Sequence, residues 1–218
     1  MAYVGSELAE EAASTALAIK LLVAGGFGVG KTTLVRAITE IRSLHTEELI
    51  SEAGTQADPP AAGGKTTTTV ALDFGRITID DDIVVYLFGT PGQERFWFMW
   101  DELAYGAVGV VILADTRRLA DCFPAVDYFE LRRIPFIIAI NNFDRAPRFH
   151  SETVRAALDL DPEVPVISCD ARERTSSQDA LVVLIEHARR LLEAAMDHQP
   201  AAEGMDHQPG KEVRPGPG

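Results

Sequence analysis

Residues Gly25-Gly26-Phe27-Gly28-Val29-Gly30-Lys31-Thr32 decide how this chain is read. They satisfy G-x-x-x-x-G-K-[ST], the pattern of a loop that cradles phosphate. The apolar run at 19–24 before it reads as a strand, and Leu34, Val35, Ile38 and Ile41 recur behind it at helical spacing. Strand, glycine turn and helix are the context the motif requires. Glycines let successive backbone N–H groups curl around an anion. The start of the helix adds partial positive charge. Lys31 is expected to reach the β and γ phosphates, and the Thr32 hydroxyl to ligate Mg²⁺. The expected phosphate contacts are therefore Gly25, Phe27, Gly28, Val29, Gly30, Lys31, Thr32 and Thr33. The competing reading is a chance glycine-rich turn. The loop alone says nucleoside triphosphate. It does not choose guanine or adenine, nor hydrolysis or transfer.

Outward from the loop, strand-like and helix-like runs alternate. Residues 69–78 and 83–88 read as strands joined by a turn at Asp80-Asp81-Asp82. The runs at 107–114, 135–140 and 164–167 are continuously apolar, as strands buried on both faces should be. Helical patterns fall at 119–132, 151–158 and 176–195. This alternation predicts an α/β fold with a mostly parallel six-stranded sheet, one antiparallel edge strand and helices on both faces. Ligands bind beyond the carboxyl ends of such strands. The stretch 42–68 fits no element well, and a loop that long is usually functional or disordered. We expect a flexible lead-in at 1–17, one domain at 18–195 and a disordered tail at 196–218. The tail repeats Met-Asp-His-Gln-Pro at 196–200 and 205–209 and ends rich in Pro and Gly.

A formal charge of −13 over 218 residues opposes sequence-independent nucleic-acid binding and direct adhesion to anionic lipid. No apolar run is long enough to span a bilayer. No signal-peptide pattern or lipidation box is visible. Cys122 and Cys169 are the two cysteines, and they fit reduced thiols in a reducing compartment better than one structural disulfide. The expected location is the cytoplasm, with any membrane association through partners.

Further motifs narrow the reading. Leu87-Phe88-Gly89-Thr90-Pro91-Gly92-Gln93-Glu94-Arg95-Phe96 resembles the second switch of Ras-like small GTPases. The resemblance implies that Gly92 offers its N–H to the γ-phosphate and that Gln93 orients the attacking water. It places Thr69 as the first-switch residue that closes on Mg²⁺. Asn141-Asn142-Phe143-Asp144 resembles the guanine motif, with Asp144 accepting the guanine ring N–H and amino group. Asp170-Ala171-Arg172 falls where that family has Ser-Ala-Lys. The closer resemblance is to small GTPases of actinobacterial conservon operons. It is carried by the phosphate loop, by Lys65-Thr66-Thr67-Thr68-Thr69-Val70-Ala71-Leu72-Asp73-Phe74-Gly75, by 88–100 and by Asp115-Thr116-Arg117-Arg118-Leu119-Ala120-Asp121-Cys122-Phe123. It implies a signalling role, GTP/GDP and Mg²⁺ as ligands, and two partners: a roadblock-type protein and a sensor-kinase-like protein.

Four departures from the small-GTPase pattern stand out. Phe27 replaces a glycine beside the γ-phosphate, where it either hinders an incoming arginine or points harmlessly outward. Gly89 replaces the aspartate that supports Mg²⁺ through water, with Asp115 either compensating or capping a turn. Asn142 replaces the lysine that stacks on the base. The spacing from Thr32 to Thr69 exceeds the usual first-switch length, with Lys65 and Arg42 as internal-finger candidates or solvated charges. Phe96, Trp97, Phe98 and Trp100 beside Gln93 suggest a docking surface that is part buried and part presented. Arg117 and Arg118 read as a solvated pair at a helix start, with a partner carboxylate or the nucleotide as the alternative contact. The expected function is a regulatory GTPase with slow, partner-stimulated turnover, catalysed by Gln93, Lys31 and Thr69. The alternatives are a binding module with negligible hydrolysis and an ATPase built on the same loop.

Overall fold

The computed structural model describes residues 17–41, 44–51, 67–80 and 82–197, with backbone alone at 44–51, 67–71, 80 and 94–95. The strand before the phosphate loop is β1, Leu17–Ala24, and the helix after it is α1, Lys31–Ile38. There follow β2 (Leu44–Ser51), β3 (Thr67–Asp80) and β4 (Ile83–Gly89). A 3-10 turn at Glu94–Met99 leads into the short α2, Trp100–Ala104. Next come β5 (Gly109–Ala114), α3 (Phe123–Leu131), β6 (Phe136–Asn141), α4 (Ser151–Ala157), β7 (Val166–Cys169) and α5 (Arg174–Asp197).

The sheet runs β2-β3-β4-β1-β5-β6-β7. β1 pairs in parallel with β4 and β5, and β5, β6 and β7 continue in parallel. β3 is antiparallel to both its neighbours, so it runs against the rest of the sheet. The α/β architecture and the six expected strands are present. β2 is a seventh, outside β3. It corrects the reading of 42–68 as devoid of structure, as does the start of β3 at Thr67. Little apolar alternation marks residues 44–51; what defines the strand is its ladder to β3, from Leu44↔Phe74 to Ser51↔Thr67. Lys65 and Arg42 lie outside the described residues. So do nearly all of the lead-in and tail, apart from Leu17 in β1 and Met196 and Asp197 at the end of α5.

Two apolar layers hold the sheet. Leu21 and Val23 of β1 face Leu34, Val35 and Ile38 of α1 and Leu184 of α5. Leu22 and Ala24 face the other way, with Trp100, Val126 and Phe129. This alternation is why the central strands are apolar at every position: each face is covered by helices, so neither can be polar. Cys122 and Cys169 are separate, buried free thiols, and burial pushes Cys122 up to about 12. No helix among the described residues is long and apolar enough to cross a membrane.

Candidate nucleotide-binding site

The phosphate loop links the carboxyl end of β1 to the amino end of α1. Gly25, Gly28 and Gly30 all adopt positive φ, at 127°, 73° and 109°. Only glycine does this without strain. Gly30 is also pinned sterically, since a Cβ there would lie 2.6 Å from the Asn141 Nδ2. Lys31 is 9% exposed, and its ammonium donates to the Gly25 and Gly26 carbonyls at 2.8 Å each. Burial lowers its pKa to about 8, against an opposing pull from Asp73. Gly92 packs against the same loop: a Cβ there would lie 2.6 Å from the Lys31 Nζ and 3.0 Å from the Phe27 N. Gln93 caps the following 3-10 turn in an extended conformation. Gly92 is thus a neighbour of Lys31, with Gln93 next to it in the chain. The Thr69 backbone lies in β3 opposite Leu49, and its side chain lies outside the described residues.

At the foot of α1 the Thr32 hydroxyl donates to Asp73 Oδ2 at 2.5 Å. Of the two readings of Asp115, support for a cation or a turn cap, the structure bears out the cap: its Oδ1 accepts the Arg117 backbone N–H at 3.0 Å. Asp115 is 2% exposed and bound by Arg117 through Nε at 2.8 Å and Nη2 at 2.7 Å, with Arg118 at 3.9 Å. These bonds hold its pKa below the usual carboxylate range against the opposing effect of burial.

Arg117 and Arg118 are exposed, as expected from sequence, and each also makes fixed contacts. The Arg117 guanidinium stacks 4.2 Å from the Phe143 ring centroid, and Arg118 Nη2 donates to the Phe27 carbonyl at 2.8 Å. The Phe27 side chain is 64% exposed and points outward.

The base end is built from β6, β7 and the turns that follow them. The buried Asn141 amide donates to the Val29 carbonyl at 2.9 Å, and its oxygen accepts the Ala171 N–H at 3.1 Å. One side chain therefore ties the phosphate loop to the Ala171 turn. Asn142 turns aside to donate to the Ser168 Oγ at 2.9 Å. Arg172 bridges two carboxylates: it reaches Asp144 at 3.2 Å and Asp170 at 2.8 Å. The Asp170 carboxylate also accepts the Arg172 backbone N–H, and its pKa is lowered chiefly by the Arg172 side chain. A cavity of about 320 Å³ lies between these turns and the loop, lined by Gly30, Thr33, Arg117, Asn141, Asp144 and Arg172 among others.

The aromatic group after Gln93 divides as expected. Phe96 and Trp100 are buried, Trp97 packs partly on the core, and Phe98 is exposed. Trp100 stacks on Phe129 and donates its indole N–H to the Pro91 carbonyl at 3.2 Å, anchoring the segment that carries Gly92 and Gln93.

A phosphate loop at the carboxyl edge of this sheet, tied by Asn141 to a second turn, is the arrangement of a nucleotide-binding domain. The profile of a family described as conserved hypothetical ATP-binding protein matches residues 23–190. The chain belongs to this family. An uncharacterized Methanocaldococcus jannaschii protein, MJ1339, is 32% identical over 128 residues, 58% of this chain and 71% of that one. Translation initiation factor IF-2 of Dinoroseobacter shibae is 29% identical over 210 residues, 90% of this chain but 23% of the factor. Among solved structures, the cytosolic domain of the T. maritima FeoB iron transporter in apo form superposes with TM-score 0.57 and 18% identity, covering 79% of this chain and 65% of that one. The FeoB G-domain of Methanococcus jannaschii gives 0.52 and 12%, covering 79% and 98%. At such identities the likeness is one of fold. The family's description and the loop together make this a phosphate-loop nucleotide-binding protein.

The donor set suits a hard cation. Thr32 and Asp73 bring a hydroxyl and a carboxylate together, and Mg²⁺ takes one or two carboxylates plus substrate phosphates and water. Among the described residues there is no cluster of three or more His, Cys, Asp or Glu side chains that could hold a metal.

Proposed function

We propose that the chain is a guanine-nucleotide switch that binds GTP and GDP with Mg²⁺ and hydrolyses GTP slowly. The observation that carries this is Asp144 at the base end of the cavity, beside the Asn141 bridge and the Ala171 N–H. A carboxylate there accepts two N–H donors from guanine, and adenine offers no matching pair. The Ala171 N–H suits the guanine O6. Mg²⁺, if bound, would supply positive charge that offsets that of the phosphates. Thr32 and Thr69 would hold it. Lys31 would leave the Gly25 and Gly26 carbonyls for phosphate oxygens. Gly92 would give its N–H to the γ-phosphate while Gln93 orients water.

The conservon resemblance supports a roadblock-type regulator and a sensor-kinase-like partner. The exposed Phe98 beside the Trp100 anchor fits a surface read by a partner. A second reading, adenine in place of guanine, has the family's description behind it. Competition of GTP and ATP for bound mant-GDP separates the two. Guanine preference of tenfold or more supports the proposal, and equal or better competition by ATP overturns it. Single-turnover GTP hydrolysis then tests the switch: release of phosphate that slows in Gln93→Ala supports turnover, and none above the uncatalysed rate leaves a binding module.

A further inference from the structure

β4 ends on Gly89, a residue with no side chain to offer a cation. Directly across the antiparallel ladder stands Asp73 of β3. A Cβ added at Gly89 would lie 2.9 Å from the Asp73 Cβ and 3.2 Å from its Oδ2. Two side chains of any size therefore exclude each other at this cross-strand pair. The same Oδ2 accepts the Thr32 hydroxyl at 2.5 Å. Phosphate-loop proteins hold Mg²⁺ with the loop Ser/Thr and one strand-borne aspartate. The nearby alternative, Asp115, is occupied by Arg117 and Arg118. Asp121, against Gly26, pairs with Arg118 at 3.5 Å.

We propose that Asp73 supplies the metal-supporting carboxylate, carried over from the end of β4 to the facing position on β3. The glycine at 89 is then part of the same device: it clears the space in which the Asp73 side chain lies. The Thr32–Asp73 bond also has a use when metal is bound. A threonine that ligates Mg²⁺ keeps its proton, and Asp73 is placed to accept it, which turns the hydroxyl lone pairs to the cation. Asp73 is in this sense a positioning residue for Thr32 as well as an oxygen donor to the metal's shell. The inference rests on the nucleotide-switch reading.

The test uses the full chain loaded with mant-GDP, or mant-ADP if competition favours adenine. Nucleotide retention is followed across a Mg²⁺ titration, with the dissociation rate in EDTA as reference. Wild type is expected to release nucleotide faster in EDTA. Asp73→Asn is expected to need about 10–100-fold more Mg²⁺ for half-maximal retention, as losses around a metal usually do, with a much smaller change in its EDTA rate. The swap Asp73→Gly with Gly89→Asp returns a carboxylate to the end of β4 without the clash and is expected to restore most of the Mg²⁺ sensitivity. An Asp73→Asn titration that overlays wild type overturns the proposal. So does a loss of retention equally large in EDTA, which marks a merely structural role. If Asp73→Asn does not fold, the swap variant decides alone: Mg²⁺ dependence like wild type supports the proposal, and its absence overturns it. A wild type that retains neither nucleotide defeats the underlying reading instead, and the proposal with it.

Discussion

The two ends of the candidate site are built on opposite plans. At the base end every charge is already partnered: Arg172 lies between Asp144 and Asp170, and Asn141 spends both its amide groups on fixed backbone. At the phosphate end a buried ammonium satisfies itself on the carbonyls of its own loop, and its pKa falls to about 8. Carbonyl dipoles are weak substitutes for an anion in a place largely closed to water. The base end is a finished frame. The phosphate end holds an incomplete electrostatic arrangement that a triphosphate would complete. A switch needs this difference, because only the incomplete end can respond strongly to gain or loss of one phosphate.

The largest effect that could break this contrast is at Lys31. Lys31→Met keeps the stem and removes the charge, so it should weaken triphosphate binding by about 100-fold or more, the scale of losing one partner of a buried charge pair. Equilibrium titration with a fluorescent triphosphate measures it, and a loss below tenfold would mean that the loop backbone alone binds the anion. Next in size is Asp144→Ala. It should cut guanine-over-adenine preference by roughly 100-fold, because two hydrogen bonds to a charged acceptor are lost. It should leave inorganic triphosphate binding unchanged, so that the damage stays at the base end. If affinity for inorganic triphosphate fell as far, the two ends would not be separable.

Which parts of this were legible in the sequence follows from the range of the interactions. The phosphate loop, α1 and the central strands are written in local signals: glycine spacing, a helical repeat, and continuous apolar runs. Asp73 was quoted as part of a motif, yet its place beside Thr32 depends on the Asp73↔Gly89 register between strands, which no local pattern encodes. β2 was missed for the same reason, since its partner rather than its own composition defines it. Arg117 is different. The Arg117 N–H donates to Asp115 Oδ1 at 3.0 Å, a turn cap that short-range reading does offer for Asp115. What it does not offer is the stacking of the exposed guanidinium on Phe143, which lies in a different turn.

A smaller effect sharpens the contrast through pH. The folded-state pKa of Lys31, about 8, lies below its ordinary value of 10.5. Between those values the unfolded chain keeps a proton that the folded chain has released. Stability of the nucleotide-free protein therefore rises with pH through this window, and the full penalty is present below it. The size is on the order of 3 kcal/mol, or several degrees in Tm for a chain of this length. Thermal unfolding in EDTA from pH 7.5 to 10, with Lys31→Met as the reference that cancels other groups, measures it. The wild-type curve should climb relative to the variant. Parallel curves would mean that the loop carbonyls satisfy the ammonium fully and that the phosphate end is as finished as the base end.

The smallest effect belongs to Arg172. Its ion pair with Asp144 joins side chains that are 54% and 82% exposed, and pairs so exposed to solvent contribute little to stability. Arg172→Ala should therefore change Tm little and shift GDP affinity less than about fivefold. The sign is informative. Arg172 contacts both Asp144 oxygens, at 3.2 and 3.3 Å, which are the acceptors that guanine would need. If it competes with the base, affinity rises in the variant; if it orients the carboxylate, affinity falls. Either way the preference for guanine should survive if, as proposed, Asp144 reads the base. Collapse of that preference in Arg172→Ala would move the reading role from the carboxylate to the cation, and the base end would no longer be a passive frame.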